Sequence, residues 1–288
     1  MAVSPMEQFA RGQITALSDQ LVEDFHGAAR KQDEEAVHRI RVSIRRFVQS
    51  LTVFEQYLPE SRTTKKVRKQ LRRVMRLSSK VRDLDIAMLF LKKHPHPAGN
   101  LADRRERAGL ELAKALGSGK WPSRLDWSGH EDHVAKYRSV RKNPQAGLPG
   151  TAAEFFAAGR KAINPKWTWG EMHEFRLATK EFRYTLELFR PLFGVELETR
   201  LEAVRKIQQL LGDVSDAVSV RKLLKDVEGA DPLRKKLSKK AGSRRKSLIL
   251  YWNGQFDAPG ELEKWKVCLK ADTARPKKTA QQKVRSRS

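Results

Sequence analysis

The chain has 288 residues, of which 39% are apolar, and its 59 Lys and Arg outnumber its 34 Asp and Glu to give a formal net charge of +25. This length is enough to bury a substantial core, but the charge excess destabilises the compact state by self-repulsion unless a polyanion screens it, so we expect an anionic partner. The single cysteine, Cys268, excludes an internal disulfide framework and a cysteine-rich zinc site, and the lack of a leader or of ~18 consecutive apolar residues predicts a cytoplasmic protein without membrane contact.

Helical periodicity marks residues 1–116, which we interpret as a first helical half. Asp33 is suited to cap a helix, and Pro59 is suited to stop one. The spacing of apolar residues predicts helices over residues 6–31, 33–58 and 101–116, and one that begins at Ser61 and carries its apolar face to Val81. Residues 82–86 then lead into an apolar segment that runs through Leu91.

The third predicted helix is strongly basic on one face. Between Ser61 and Arg82 the chain has no acidic residue. At a rise of ~1.5 Å per residue, the distance from Lys65 to Lys80 is roughly 22 Å, which is long enough to contact several successive phosphates. The cations on this face are Lys65, Lys69, Arg72, Arg73, Arg76 and Lys80.

Residues 117–150 interrupt the helical pattern with five glycines and three prolines, and we interpret them as a connector. Periodicity then returns over residues 151–270, the second helical half. Residues 271–288 are basic and polar with almost nothing to bury, so we expect a disordered tail. The helices predicted in the second half cover residues 151–162, 171–193, 196–227 and 233–252.

A histidine-centred motif occurs twice. In the first copy, His38 is followed by cations three and seven residues later, beside an apolar helical stripe. About 135 positions later the same spacing returns. The two stripes are His38, Arg41 and Arg45, and His173, Arg176 and Lys180.

Two matched stripes favour a binding surface over a merely solvated helix face, which is the usual role of a single run of charge. A polyanion is bound by many fixed cations, and arginine offers a planar fork for two oxygens. The histidines are open to several roles: hydrogen bonding to phosphate, a structural contact, a phosphorylated nucleophile or a metal ligand. Neither motif has the second ligand at four-residue spacing that a helical zinc pair shows.

The remaining polar and aromatic candidates have simpler interpretations. The acids Asp83, Asp85, Asp213 and Asp216 do not repeat as one catalytic pair, so we favour salt bridges or caps that orient arginines. Residues 130–133 (His-Glu-Asp-His) carry metal-capable groups but lie in the connector, so we interpret them as an exposed loop. The six tryptophans keep an RNA- or DNA-binding alternative open, although core packing or loop anchoring is favoured.

No pattern of strands appears, so we predict an all-α fold of two related helical halves. The sequence also has no P-loop, nucleophile elbow or metal-ligand motif, which disfavours a phosphotransfer or phosphohydrolase enzyme.

The two motif copies, residues 37–46 and 172–184, resemble the CHAD domain, the conserved histidine α-helical domain. The later segments Arg82-Asp83-Leu84-Asp85-Ile86 and 207–216 resemble further elements of that family. The resemblance implies two pseudo-symmetric antiparallel helical bundles with a basic cavity between or along them. It also implies a role in binding inorganic polyphosphate, often at intracellular polyphosphate granules. We predict that this binding is non-catalytic and uses no cofactor or metal.

The residues expected to bind polyphosphate are His38, Arg41, Arg45, Arg46, Lys65, Lys69, Arg72, Arg73, Arg76, Lys80, Arg82, His173, Arg176, Lys180, Arg183, Tyr184, Arg205 and Lys206. Two positions depart from the family pattern: Glu181 replaces a cation and Ser79 replaces a glycine. Because Glu181 reduces the positive field there, we expect the second half to contribute less to binding.

Overall fold

The structure is a computed structural model, which describes residues 4–31, 33–58, 62–94, 96, 99–117, 144–164 and 166–270. All regular structure in these ranges is helical, so the all-α prediction is confirmed. Most of the predicted connector, with Trp121, Trp127 and the residues 130–133, lies outside the described residues, as does the predicted tail 271–288. The division into halves, the pseudo-symmetry and the cavity stay predictions.

Nine α-helices lie in the described ranges. Short 3₁₀ turns follow the second and seventh helices, and a single π-helical turn follows the eighth. None of the helices in these ranges has a stretch long and apolar enough to cross a membrane. The helices are α1 (Pro5–Arg30), α2 (Glu34–Val53), α3 (Arg62–Lys93), α4 (Leu101–Gly117), α5 (Leu148–Ala162), α6 (Trp169–Phe193), α7 (Val195–Leu223), α8 (Asp231–Tyr251) and α9 (Glu261–Leu269).

The two motif helices, α2 and α6, begin at well-defined caps. Asp33 accepts a hydrogen bond from the backbone N–H of Ala36 at 2.8 Å, and Thr168 forms a capping box with Glu171. Each motif histidine lies five positions after its cap residue. The caps therefore place His38 and His173 at the same height on their respective helices.

Helix packing brings the motif helices together. Within the first half, α1 packs against α2 and α3 packs against α4; within the second, α6 packs against α7, which also packs against α8. Between the halves, α2 packs against α6 and α3 packs against α7. The buried stripe of α2, which includes Val37, Ile40, Ile44 and Phe47, faces the core and leaves the cationic stripe beside it available.

The second half is closed by an aromatic cluster that the periodicity did not reveal. Trp252 and Trp265 are both only 1% exposed, and they contact Phe155, Phe156 and Phe256. Trp265 belongs to α9, which packs against α5 and which we did not predict. The core therefore extends to Leu269, within the predicted second half, although the sequence predicted no helix after residue 252.

Candidate functional site

Direct side-chain contacts hold the two motif helices side by side. The Nε of Arg45 donates to the hydroxyl of Tyr184 at 2.9 Å, and the amide of Gln49 donates to the Oγ1 of Thr185 at 2.9 Å. Arg46 forms an ion pair with Glu187 at 3.3 Å. These contacts join residues about 140 positions apart in the sequence, and they fix the register of α2 against α6.

A set of charged side chains gathers where α2, α3, α6 and α7 meet. All of its members are partly buried, and their charges act on one another. We call this set the central cluster: Arg41, Arg45, Asp83, Arg176, Lys180 and Asp216. The structure thus brings the cations of both motif copies into one place.

Burial next to like charges changes the proton affinity of the cluster cations. Burial, followed by repulsion from Arg176, Arg45 and Arg41, lowers the pKa of Lys180 to about 7. Burial, followed by repulsion from Arg45, lowers the pKa of Arg41 to about 10. The cluster therefore holds more positive charge than its own acids neutralise, which is the condition for binding an anion.

The two cluster acids occupy matching places in the sequence repeat. Burial raises the pKa of both Asp83 and Asp216, and neither makes an ion pair with another described residue. Their neighbours behave as the sequence suggested, since Asp85 pairs with Arg105 at 2.7 Å and Asp213 pairs with Arg244 at 3.0 Å. The sequence analysis did not predict that Asp83 and Asp216 lie in the same cluster, although their matching positions in the repeat were the signal for it.

The motif histidines lie at the edge of this cluster and are exposed. Partial desolvation, followed by repulsion from Arg82, Arg45 and Arg41, lowers the pKa of His38. His173 lies almost one helical turn before Arg176 on α6. Among the described residues no group of three or more His, Cys, Asp or Glu is placed to hold a metal ion.

The basic face of α3 forms a separate, exposed surface. Its cations make no ion pair within the part of the chain that the structure describes, except that Lys80 pairs with Glu111 at 3.3 Å. A shallow groove of about 570 Å³ runs along this face. We call the exposed cations Lys65, Lys69, Arg72, Arg73 and Arg76 the α3 track.

Most of the other expected binding residues are engaged by acids or buried. Arg82 pairs with Glu34, and Tyr184, which is only 3% exposed, serves as the acceptor for Arg45. Lys206 is exposed on α7. The remaining arginines, Arg46, Arg183 and Arg205, form ion pairs with Glu187, Glu187 and both Glu198 and Glu202, respectively.

One further cationic region, on α8, was not among the expected binding residues. The exposed lysines of α8 include Lys240, whose charge acts on Asp216 of the central cluster. Lys240 of α8 therefore lies near the part of the cluster that α7 contributes. The arrangement as a whole offers charge-assisted hydrogen bonds from several helices to an extended anion.

Comparison with known proteins places this arrangement in a family. The fold is similar to that of the CHAD domain from the plant Ricinus communis, with 17% identity over 95% of this chain and 96% of the other, and a TM-score of 0.57. It is also similar to PptA from Streptomyces chartreusis, with 17% identity over 86% of this chain and 96% of the other, and a TM-score of 0.54. A comparison with curated proteins found no match. The CHAD domain family model matches residues 12–225, and the chain belongs to the CHAD domain family.

Proposed function

We propose that this protein binds linear inorganic polyphosphate without modifying it. The observation that carries the proposal is the meeting of both histidine-centred stripes in the central cluster, where four cations face two acids. Phosphate oxygens accept charge-assisted hydrogen bonds from such groups, and each neutralised phosphate releases counterions. Membership of the CHAD domain family supports the same class of ligand.

The α3 track favours a ligand with many linked phosphates over a single phosphate. Lys65, Lys69, Arg72 and Arg76 are three or four residues apart, so they form one stripe along α3. The stripe continues one turn later to Ser79, which contacts Arg41 of the central cluster. A linear polyanion lying on this stripe therefore leads into the cluster.

RNA or DNA is the alternative ligand that a specific observation keeps in view. Trp169 is 37% exposed and lies beside Lys222, with the ammonium 5.7 Å from the ring centroid. Base stacking needs an exposed aromatic face among the cations. Trp167, by contrast, is only 6% exposed, and Tyr184 in the motif region is buried. Among the residues that the structure describes, this distribution favours a ligand without bases.

The proposal assigns no catalytic residue, cofactor or metal, and it places the protein in the cytoplasm on polyphosphate granules. Competition binding tests it: polyphosphate, RNA and DNA compete at equal phosphate concentration and physiological salt. We expect polyphosphate to displace both nucleic acids, and to keep its chain length when incubated with the protein and Mg²⁺. Weaker displacement by polyphosphate than by RNA or DNA contradicts the proposed ligand, and shortening of the chain contradicts binding without turnover.

A further inference from the structure

The two equivalent motif arginines are held differently. The Nη1 of Arg41 donates to the Oγ of Ser79 at 2.7 Å, to the Oγ of Ser78 at 3.2 Å and to the carbonyl of Met75 at 3.3 Å. Arg176, its counterpart in the second copy, has a buried Nε with no hydrogen-bond partner among the described residues. Arg41 is thus anchored to the protein, and Arg176 retains a free donor.

The sequence repeat explains this difference. Ser78 and Ser79 of the first half align with Leu211 and Gly212 of the second. Neither Leu211 nor Gly212 has a side-chain acceptor, so α7 cannot hold Arg176 in the way that α3 holds Arg41. The space at Gly212 is open, because a Cβ added there meets no atom within 4 Å.

The unpaired donor of Arg176 makes the binding free energy that a ligand gains there different from the gain at Arg41. A buried N–H without an acceptor raises the free energy of the unliganded protein, and that penalty is removed when the side chain shifts so that an anion accepts from the N–H. One nitrogen of Arg41 already has three acceptors, so an anion that binds at Arg41 gains less binding free energy than one that binds at Arg176. Asp216 attracts Arg176 without forming an ion pair, so that arginine is still available to a ligand.

We infer that Arg176 is the primary phosphate-binding arginine of the central cluster, and that Arg41 is a fixed supporting cation, with Ser79 and Gly212 determining the difference. This inference rests on the proposed binding of polyphosphate. It reverses the sequence-based expectation that Glu181 weakens the second half. The side chain of Glu181 is exposed, and its charge is not among the largest influences on Arg176 or Lys180.

Two matched lysine substitutions test the assignment, because each keeps the charge but removes the planar fork. Polyphosphate of defined chain length is titrated into the wild type, Arg176→Lys and Arg41→Lys at fixed pH and salt. We expect Arg176→Lys to weaken binding about tenfold or more and Arg41→Lys to weaken it less than about threefold. Equal losses of affinity for polyphosphate in the two variants, or a larger loss of affinity in Arg41→Lys, overturn the inference.

A second pair of variants leaves both arginines in place. Gly212→Ser supplies the hydroxyl that the second half lacks, and we expect it to weaken polyphosphate binding about threefold without lowering the melting temperature. Ser79→Gly, the matched control, removes an acceptor from Arg41, and we expect an effect below twofold on affinity. If Arg176→Lys fails to fold, an unchanged affinity of Gly212→Ser overturns the inference. A wild type that binds no polyphosphate contradicts the proposed function itself, whereas equal losses contradict only the assignment of Arg176.

Discussion

At the scale of single residues, Lys180 combines three properties that rarely occur together. It is partly buried, it has no hydrogen bond or ion pair with a described residue, and three arginines act on it. Burial and this repulsion lower its pKa from 10.5 to about 7. A bound anion favours the charged ammonium, so ligand binding raises the pKa of Lys180 again.

This gives a prediction about pH. Between about pH 7 and 9, Lys180 is largely neutral in the free protein, so binding takes up a proton and the affinity for polyphosphate falls as the pH rises. Calorimetry at pH 8 in two buffers of different ionisation enthalpy counts that proton. The Lys180→Arg variant stays charged, so we expect its proton uptake to be smaller and its affinity to vary less over the same range. The same proton uptake in both proteins contradicts this role of Lys180.

At the scale of helices, the stability of the second half depends on how α9 and the π-helical turn pack against α5. Gly159 of α5 lies against Trp252, and a Cβ added there meets the indole ring at 2.0 Å. Trp252 is only 1% exposed and contacts other rings, so it has little freedom to move. Only glycine at this position lets the helix approach the indole so closely.

Gly159→Ala therefore tests the packing of the second half. We expect the free energy of unfolding to fall by about 1–3 kcal/mol, because the added methyl group forces the indole or the helix to shift. Gly242→Ala is the matched control, since that glycine lies in α8 with nothing within 4 Å of the added Cβ. There we expect a gain of roughly 0.5–1 kcal/mol from helix propensity. Urea unfolding measures both, and equal effects of the two substitutions contradict this packing.

Some helix boundaries followed directly from local chemistry, and others depended on distant contacts. Asp33 caps α2 as its side chain suggested, but α2 ends at Val53 and gives way to a 3₁₀ turn before Pro59. The segment from Arg82 to Ile86 continues α3, because its apolar residues remain on the packed face. The nine residues of α9 are stabilised by burial of Trp265 against α5, which no local pattern encodes.

At the scale of the whole molecule, the repeated motif predicted which residues form the site but not how they meet. Spacing alone placed Arg41 and Arg45 on one helix face, and Arg176 and Lys180 on another. Their convergence depends on contacts such as Arg45 with Tyr184 and Gln49 with Thr185, which join the two halves. The ion pairs of Arg183 with Glu187 and of Arg205 with Glu202 join residues one helical turn apart, so helical spacing was a signal for them that the sequence analysis did not use.

The central claim is that the two motif copies form one polyanion-binding site. Three variants address it: Arg41 and Arg45 both replaced by alanine, Arg176 and Lys180 both replaced by alanine, and all four replaced. Lys92 and Lys93, exposed at the end of α3 and away from the cluster, provide a double-alanine control with the same loss of charged side chains. Thermal unfolding of each variant accompanies the binding data, because replacing Arg45 also removes its hydrogen bond to Tyr184 between α2 and α6, whereas the apolar stripes carry most of the packing.

The decisive measurement is the affinity for polyphosphate as a function of salt concentration. We predict that replacing each cluster pair weakens binding and makes the fall of log affinity with log salt less steep, by up to about two for two lost phosphate contacts, with the larger change for the pair that includes Arg176. One continuous ligand held by both pairs predicts that the fourfold variant departs from the sum of the two double variants. Unchanged affinity in the cluster variants with native unfolding curves, or losses no larger than in the Lys92 and Lys93 control, would contradict a shared site.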